Sequence, residues 1–201
     1  ETTLAENHPD RLASQHVLAR AYEANGQVTE AVKLLEHVAS VQETTLAENH
    51  PDRLASQHEL AGAYQANGQV AVAVKLLEHV ASVQETTLAE NHPNRLASQH
   101  ELAGAYEANG QVAVAVKLLE HVVAVQETTL AENHPDRLAS QHELAGAYQA
   151  NGQVAEAVKL LEHVVERKRE IMLPSHPSRL LSEQNLKYCY EILDGPLSPC
   201  S

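Results

Sequence analysis

Apolar residues recur along the chain at the three- and four-residue spacing of an α-helix. Leu54, Leu60 and Tyr64 form one such stripe, which predicts a first helix that begins near Pro51. A second stripe follows and continues for about 20 residues without Gly or Pro, which predicts a second helix roughly 30 Å long. Its apolar positions are Val70, Ala73, Val74, Leu77, Val80 and Ala81.

The residues at both ends of the first helix fit the chemistry of helix termini. Pro51 suits the first helical position, where its missing N–H would have no partner, and Asp52 places an anion at the positive end of the helix dipole. Asn67 and Gly68 predict the stop, because Gly accepts a left-handed conformation without steric cost. His50 falls at the capping position although Asn caps more strongly, so the register stays open by one residue.

This pair of helices recurs with a period of 42 residues, and the phrase ANGQV returns at 24–28, 66–70, 108–112 and 150–154. The pattern predicts one array over residues 1–193. Its units are 1–42, 43–84, 85–126, 127–168 and a shortened capping unit at 169–193.

Stacking is required because two helices cannot bury their apolar faces alone. Repeated stacking predicts an all-α fold, an α-solenoid. The aromatic content of 3%, with no Trp and no Phe, favours short distances between helices. Polar residues such as Glu183, Asn185 and Lys187 predict a capping helix at about 177–193, and we expect residues 194–201 to form a disordered tail.

The repeat resembles the tetratricopeptide repeat (TPR). Leu60, Tyr64, Gly68, Ala73 and Leu77 fill the Leu, Tyr, turn Gly, Ala and large apolar positions of its pattern. The resemblance implies a right-handed solenoid of helix hairpins, in which the eight residues beyond the usual TPR length extend the second helix. Repeats of 42 residues are similar to those of kinesin light chains and of the C-terminal arrays of fungal NACHT or NB-ARC receptors.

Composition narrows the expected partners. The formal net charge of −13 opposes phosphate backbones and anionic lipids, so we expect neither a nucleic-acid nor a membrane partner. The only cysteines, Cys189 and Cys200, lie outside the full repeats, which favours a reduced, cytoplasmic location. The chain starts within a repeated phrase and is therefore expected to be a piece of a longer protein.

Histidine is the one abundant residue that could carry chemistry. A catalytic centre needs a unique convergence of unlike residues, whereas each His is copied together with its surroundings. No Cys or carboxylate accompanies them at a metal-ligand spacing. We therefore expect no enzyme activity, no cofactor and no metal site. The thirteen His occupy three repeat positions: 8, 50, 92, 134 and 176; 16, 58, 100 and 142; 37, 79, 121 and 163.

The TPR resemblance implies that the first helices line a concave face with a floor of small residues. Such a groove could admit a protein segment or peptide close to its backbone, or the small residues could simply permit tight packing; both alternatives stay open. The predicted surface consists of His16, Arg20, Glu23, His58, Gly62, Gln65, His100, Gly104, Glu107, His142, Gly146 and Gln149.

Three functional hypotheses follow. The first is a non-catalytic scaffold for protein recognition, as the sensor region of a larger intracellular NLR-like receptor. The alternatives are a kinesin-light-chain-like cargo adaptor and a structural spacer without a ligand. Because the face around Leu12, Leu18 and Tyr22 lacks a preceding unit, head-to-tail self-association is a further expectation.

Overall fold

The computed structural model describes residues 4–194, and every regular element in that range is an α-helix. The elements are α1 (Pro9–Ala24), α2 (Val28–Thr45), α3 (Pro51–Ala66), α4 (Val70–Thr87), α5 (Pro93–Ala108), α6 (Val112–Thr129), α7 (Pro135–Ala150), α8 (Val154–Ile171) and α9 (Pro177–Asp194). From α1 to α8, helices of 16 and 18 residues alternate, as the apolar pattern predicts, and α9 again has 18.

Each first helix begins with a histidine cap, which resolves the open register. His50 is the N-cap of α3, and its Nδ1 accepts a hydrogen bond from the backbone N–H of Asp52 at 3.2 Å. The same contact recurs at His8, His92, His134 and His176. A neutral imidazole with an unprotonated Nδ1 can accept in the same way as the side-chain oxygen of Asn or Ser.

The turn between the helices of a pair depends on one glycine. Gly68 adopts a φ of +77°, in the left-handed region that other residues avoid, and the same holds for its three repeat equivalents. The N–H of Gln69 then donates to the carbonyl of Tyr64 at 2.8 Å. This hydrogen bond closes the end of α3, and α4 then starts at Val70, as predicted.

The second helices are shorter than the expected 20 residues. α4 has 18 residues and stops at Thr87, because Leu88 turns to an extended conformation. The hydroxyl of Thr87 donates to the carbonyl of Val83, which competes with continuation of the helix. Arg95 then donates to the carbonyl of Leu88 at 3.2 Å and satisfies an acceptor that the helix has released.

The chain divides into two compact units, Glu1–Asn109 and Gly110–Ser201. In the first unit, each of α1 to α4 packs against the helix that follows it. One core cluster joins α1, α2 and α3 through Ala19, Ala31, Leu35 and Leu60, all nearly inaccessible to solvent. Leu12 is also buried, whereas Leu18 beside it remains exposed, so the uncovered N-terminal face is smaller than predicted.

The second unit contains α6 to α9, packed in the same consecutive manner. Its core includes Ala145, Val158, Leu161 and Cys189. The capping helix exists as α9 and includes Asp194; the rest of the expected tail lies outside the described residues. α9 exposes apolar as well as polar side chains. Leu181 and Tyr188 are 51% and 52% exposed, whereas Glu183 and Asn185 turn toward partners on neighbouring helices.

A tyrosine-to-glutamate bond links successive helix pairs within each unit. The Tyr64 hydroxyl on α3 donates to Glu36 on α2 at 2.8 Å. Burial raises the pKa of Tyr64 to about 12, and the hydrogen bond to the Glu36 carboxylate adds to the shift. The equivalent bonds join Tyr106 to Glu78, Tyr148 to Glu120 and Tyr190 to Glu162.

Candidate protein-interaction surface

The twelve residues of the predicted surface lie on α1, α3, α5 and α7, the first helices of the four repeats. We call this the first-helix surface. The first unit carries it from His16 to Glu107, and the second carries its last three residues. Within each unit the structure assigns clear partners to several of these side chains. That they form one recognition surface stays a prediction.

His16 on α1 bridges to the next first helix. Its Nδ1 lies 2.5 Å from Oε2 of Glu59, and its Nε2 lies 2.8 Å from the hydroxyl of Ser56. Both partners are on α3, so the imidazole is partly buried between two repeats. These two contacts join adjacent first helices, which the sequence analysis did not predict.

Arg20 also bonds to Glu59, through Nη2 and Oε1. Glu59 thus carries a cation from its own chain on one oxygen and an imidazole on the other. In the next repeat Gly62 replaces Arg20, and the equivalent carboxylate, Glu101, keeps the imidazole contact, at 2.8 Å from Nδ1 of His58. The two repeats therefore differ in how the carboxylate charge is balanced.

The last repeat replaces this arrangement with a buried lysine. Lys168 on α8 is 3% exposed, and its ammonium group donates to the carbonyl and hydroxyl of Ser178 and to the hydroxyl of Ser182. Burial lowers the pKa of Lys168. Ser182 also contacts Nδ1 of His142, and burial followed by the nearby Lys168 charge lowers the pKa of that imidazole.

Three glycines of the first-helix surface sit in the middle of helices without any packing constraint. A Cβ built on Gly62, Gly104 or Gly146 would meet no heavy atom within 4 Å. Arg20 at the equivalent position of α1 shows that even a long side chain fits there. Tight packing therefore does not account for these glycines.

Two cavities open beside His58 in the first unit. One, of about 480 Å³, lies among α3, α4 and α5 and includes Leu54, Ala55 and Ala97 in its wall. The other, of about 270 Å³, lies over Gly62 and includes Arg20 and Glu59. Both reach Glu101. The structure thus places concave space on the first-helix surface, next to a carboxylate.

Sequence reasoning missed the glutamates that contact the histidines of the first-helix surface. The available signal was the change at one repeat position: Val17 stands where later units carry Glu59, Glu101 and Glu143, and Asn185 stands there in the last. Val17 is 67% exposed, whereas Glu59 meets the His of the preceding first helix. The residue at this position therefore depends on the preceding first helix in the stack. The spacing of residues along a single helix does not reveal that contact.

The histidines of the third repeat position lie on second helices, and three of them face a glutamate. His79 on α4 is 3.7 Å from Glu48, and His37 is 3.3 Å from Glu6. His163 on α8 is 3.7 Å from Glu132. Among residues 4–194, no three His, Cys, Asp or Glu side chains cluster as metal ligands would. Over the same range no helix has the length and apolar character needed to span a membrane.

Comparison with known proteins agrees with this architecture. A family model described as tetratricopeptide repeat matches residues 10–86, 52–128 and 94–170. A search of the curated proteins finds no match.

Among solved structures, the chain is similar to a Podosopora anserina protein described as a candidate kinesin light chain with nearly identical TPR-like repeats. The identity is 62% over 94% of this chain and 89% of that chain, with a TM-score of 0.84. A single-residue variant of that protein matches at 61% identity over the same shares, with a TM-score of 0.85. The apo form of RapI shares the fold at 10% identity over 92% of this chain and 64% of that chain, with a TM-score of 0.76. These matches confirm the predicted TPR-like α-solenoid fold class.

Proposed function

Because this chain belongs to the tetratricopeptide repeat family, we propose that it is a non-catalytic scaffold that binds an extended segment of a partner protein on its first-helix surface. The proposal concerns each compact unit separately. It assigns the repeated histidines to architecture, since those with described contacts cap helices or join neighbouring elements. The net charge of −13 favours a protein partner over nucleic acid.

The mid-helix glycines of the first-helix surface are the observation that carries this proposal. Glycine inside a helix costs about 0.5–1 kcal/mol relative to alanine. The surroundings of Gly62, Gly104 and Gly146 would accept a Cβ, so packing does not offset that cost. A helix surface without a side chain at these points lets another backbone approach closely. With packing constraints excluded, this close approach is the reason we assign to the glycines. An extended peptide laid across the helices would profit from it.

A second part of the proposal concerns the kind of larger protein to which the repeats belong. We favour the repeat region of a larger, cytoplasmic NLR-like receptor, because near-identical copies resemble such fungal arrays. The similarity to a candidate kinesin light chain supports a cargo adaptor as the second possibility. A nucleotide-binding domain encoded beside the repeats would support the receptor, and an N-terminal coiled coil would support the adaptor.

Selection from a library of displayed peptides tests the scaffold proposal. The whole chain is compared with a triple variant, Gly62→Glu, Gly104→Glu and Gly146→Glu, whose side chains would block close approach. We expect peptides that bind the parent chain to lose binding to this variant by at least about tenfold. Far-UV circular dichroism must show that the variant keeps its helical content.

The control adds charge of the same sign elsewhere, as two glutamates, and is compared with the double variant Gly62→Glu and Gly104→Glu as well as with the triple one. Val72→Glu and Val114→Glu place glutamates where the chain itself carries Glu30 and Glu156, on the N-terminal turns of second helices. Peptide binding should survive these changes. Equal loss in both variants would show a general charge effect and would count against the first-helix surface. Failure to select any peptide would favour the spacer.

A further inference from the structure

Two basic side chains meet at one buried hydroxyl where α9 packs against α7 and α8. Ser182 on α9 is fully buried, and its Oγ accepts from Nζ of Lys168 on α8 at 2.8 Å. The same oxygen lies 3.0 Å from Nδ1 of His142 on α7. The two nitrogens are therefore within about 6 Å of each other, a separation at which like charges disfavour each other. We call this contact the last joint.

Lys168 is held as an ammonium ion. Its Nζ contacts three acceptors, the carbonyl and hydroxyl of Ser178 and the hydroxyl of Ser182, and only the charged form has three protons to donate. The side chain is 3% exposed, so water does little to screen its charge. An imidazolium at His142 would therefore add a second positive charge to a joint that already holds one.

The surroundings of His142 favour the neutral ring. The amide nitrogen of Asn185 lies 3.3 Å from Nε2 and can donate to it only while the ring is neutral. Glu143 on α7 is an anion near the ring, but burial and the Lys168 charge outweigh it and lower the pKa of His142. Other charged side chains on the packed helices pair among themselves: Glu183 with Arg169 and Arg179, Arg167 with Glu166 and Glu170, and Glu127 with Arg137.

The contact of α1 with α3, which we call the first joint, has the same hydroxyl but a different charge beside the imidazole. Nε2 of His16 lies 2.8 Å from the hydroxyl of Ser56, and its Nδ1 lies 2.5 Å from Oε2 of Glu59. Glu59 also bonds to Arg20 through its other oxygen. An imidazolium at His16 therefore has a carboxylate in direct contact.

Two repeat positions account for this difference. Gln42 in the first joint is replaced by Lys168 in the last, and Glu59 is replaced by Asn185. One change adds a positive charge and the other removes a negative one. Protonation of the imidazole thus creates a contact between opposite charges in the first joint and an opposition of like charges in the last.

The geometry points to α9 as a helix that mild acid releases. An imidazolium at His142 faces the ammonium group of Lys168 across Ser182, and α9 separates from α7 and α8 while α1 stays on α3. Release uncovers Cys189 and Leu161, which are 0% and 1% exposed in the packed state. It does not depend on whether a partner occupies the first-helix surface.

The pH window follows from the direction of the pKa shifts. The pKa of His142 is lowered from its ordinary value of 6.5, so its contribution to stability is complete above pH 6.5 and is lost as the pH falls through the lowered pKa. Hydrogen bonds from Arg169 and Arg179 lower the pKa of Glu183 from 4.5, so this carboxylate stays ionised at pH 5.0. A change between pH 7.5 and pH 5.0 therefore reports on His142 and not on Glu183.

The accessibility of Cys189 measures release directly. The whole chain with Cys200→Ser is treated with 4,4′-dithiodipyridine, which modifies thiols in mildly acidic as well as in neutral solution. The rate is divided by that of the urea-unfolded chain at the same pH, which removes the intrinsic pH dependence of the reaction. We expect this relative rate to rise by at least about tenfold from pH 7.5 to pH 5.0. An unchanged relative rate would overturn the inference.

Hydrogen–deuterium exchange compares α9 with α1. Both helices give peptides of unique sequence, whereas α3 and α7 share the same 16 residues. After correction for intrinsic exchange rates, we expect α9 to lose protection between pH 7.5 and pH 5.0 and α1 to keep it. Equal loss in both helices would show a general acid destabilisation and would count against release of α9.

Three variants in the same background locate the proton. Lys168→Gln together with Asn185→Glu gives the last joint the residues of the first and should abolish the acid response of Cys189. His142→Gln removes the titrating ring and should abolish it too, which covers the case in which the double variant does not fold. His16→Gln is the matched control and should leave the response intact. A full acid response in a folded His142→Gln chain would refute the role of His142.

The helix cap of α9 is the alternative source of an acid response. Nδ1 of His176 accepts from the backbone N–H of Ser178 at 3.2 Å, and protonation removes that acceptor. His176→Asn keeps a capping side chain that does not titrate, so the response of Cys189 should persist. Its loss in this variant, with persistence in His142→Gln, would assign release to the cap and overturn the inference.

Discussion

Replacing the exposed helix glycines by alanine should stabilise the protein. Gly62 and Gly104 lie in the interiors of α3 and α5, with ordinary helical backbone, and a Cβ added at either position would have no heavy atom within 4 Å. Alanine is favoured over glycine in a helix interior by about 0.8–1.0 kcal/mol, and the structure shows neither a clash to subtract nor a contact to add. The two changes are on separate helices, so about 1.6–2.0 kcal/mol is expected for the pair.

Urea unfolding monitored by far-UV circular dichroism measures this gain, and thermal unfolding should show a rise of about 2–4 °C per kcal/mol for a chain of this size. Gly68→Ala is the internal control. It lies six residues from Gly62, but its φ of +77° is one that alanine avoids, so the same substitution should destabilise by about 1 kcal/mol or more. If Gly62→Ala destabilises the protein, the surface around Gly62 is not open. The main support for close approach of a partner backbone would then be lost.

Further predictions concern the contacts between repeats. The pKa of about 12 at Tyr64, Tyr106 and Tyr148 lies above the unfolded value near 10, so their contribution is complete below pH 10 and is lost as pH rises toward 12; replacing all three by Phe should flatten the fall of the urea midpoint over that range. His50→Ala should cost about 1 kcal/mol by removing a helix cap, and His50→Asn should restore it, as measured by urea unfolding. Cys189 is buried and its pKa is raised by burial, so in a Cys200→Ser chain iodoacetamide should modify it only as α9 opens; rapid labelling of the native protein would contradict the described packing of α9.

The candidate surface shows where sequence reasoning was incomplete. The twelve predicted residues do lie on first helices, because helix position follows from the local pattern. The contact partners of these side chains could not be predicted from the local pattern. His16 was predicted to belong to a partner-binding surface, and the sequence did not show that it would also be partly buried against Ser56 and Glu59, some 40 residues away along the chain. Lys168 stood out only as a departure from the repeat, and its burial could not be inferred from the charged segment around it.

The sequence by itself determined the local architecture. Helix boundaries depend on residues within one or two turns, such as the His50 cap, Pro51 and the left-handed Gly68, and the 42-residue period repeats these signals along the chain. Tertiary structure decided how the charges are balanced. Whether a carboxylate meets Arg20, as Glu59 does, or faces an open cavity, as Glu101 does, depends on which side chains adjacent repeats bring together. Those contacts join residues about 40 positions apart and arise only when the helices stack.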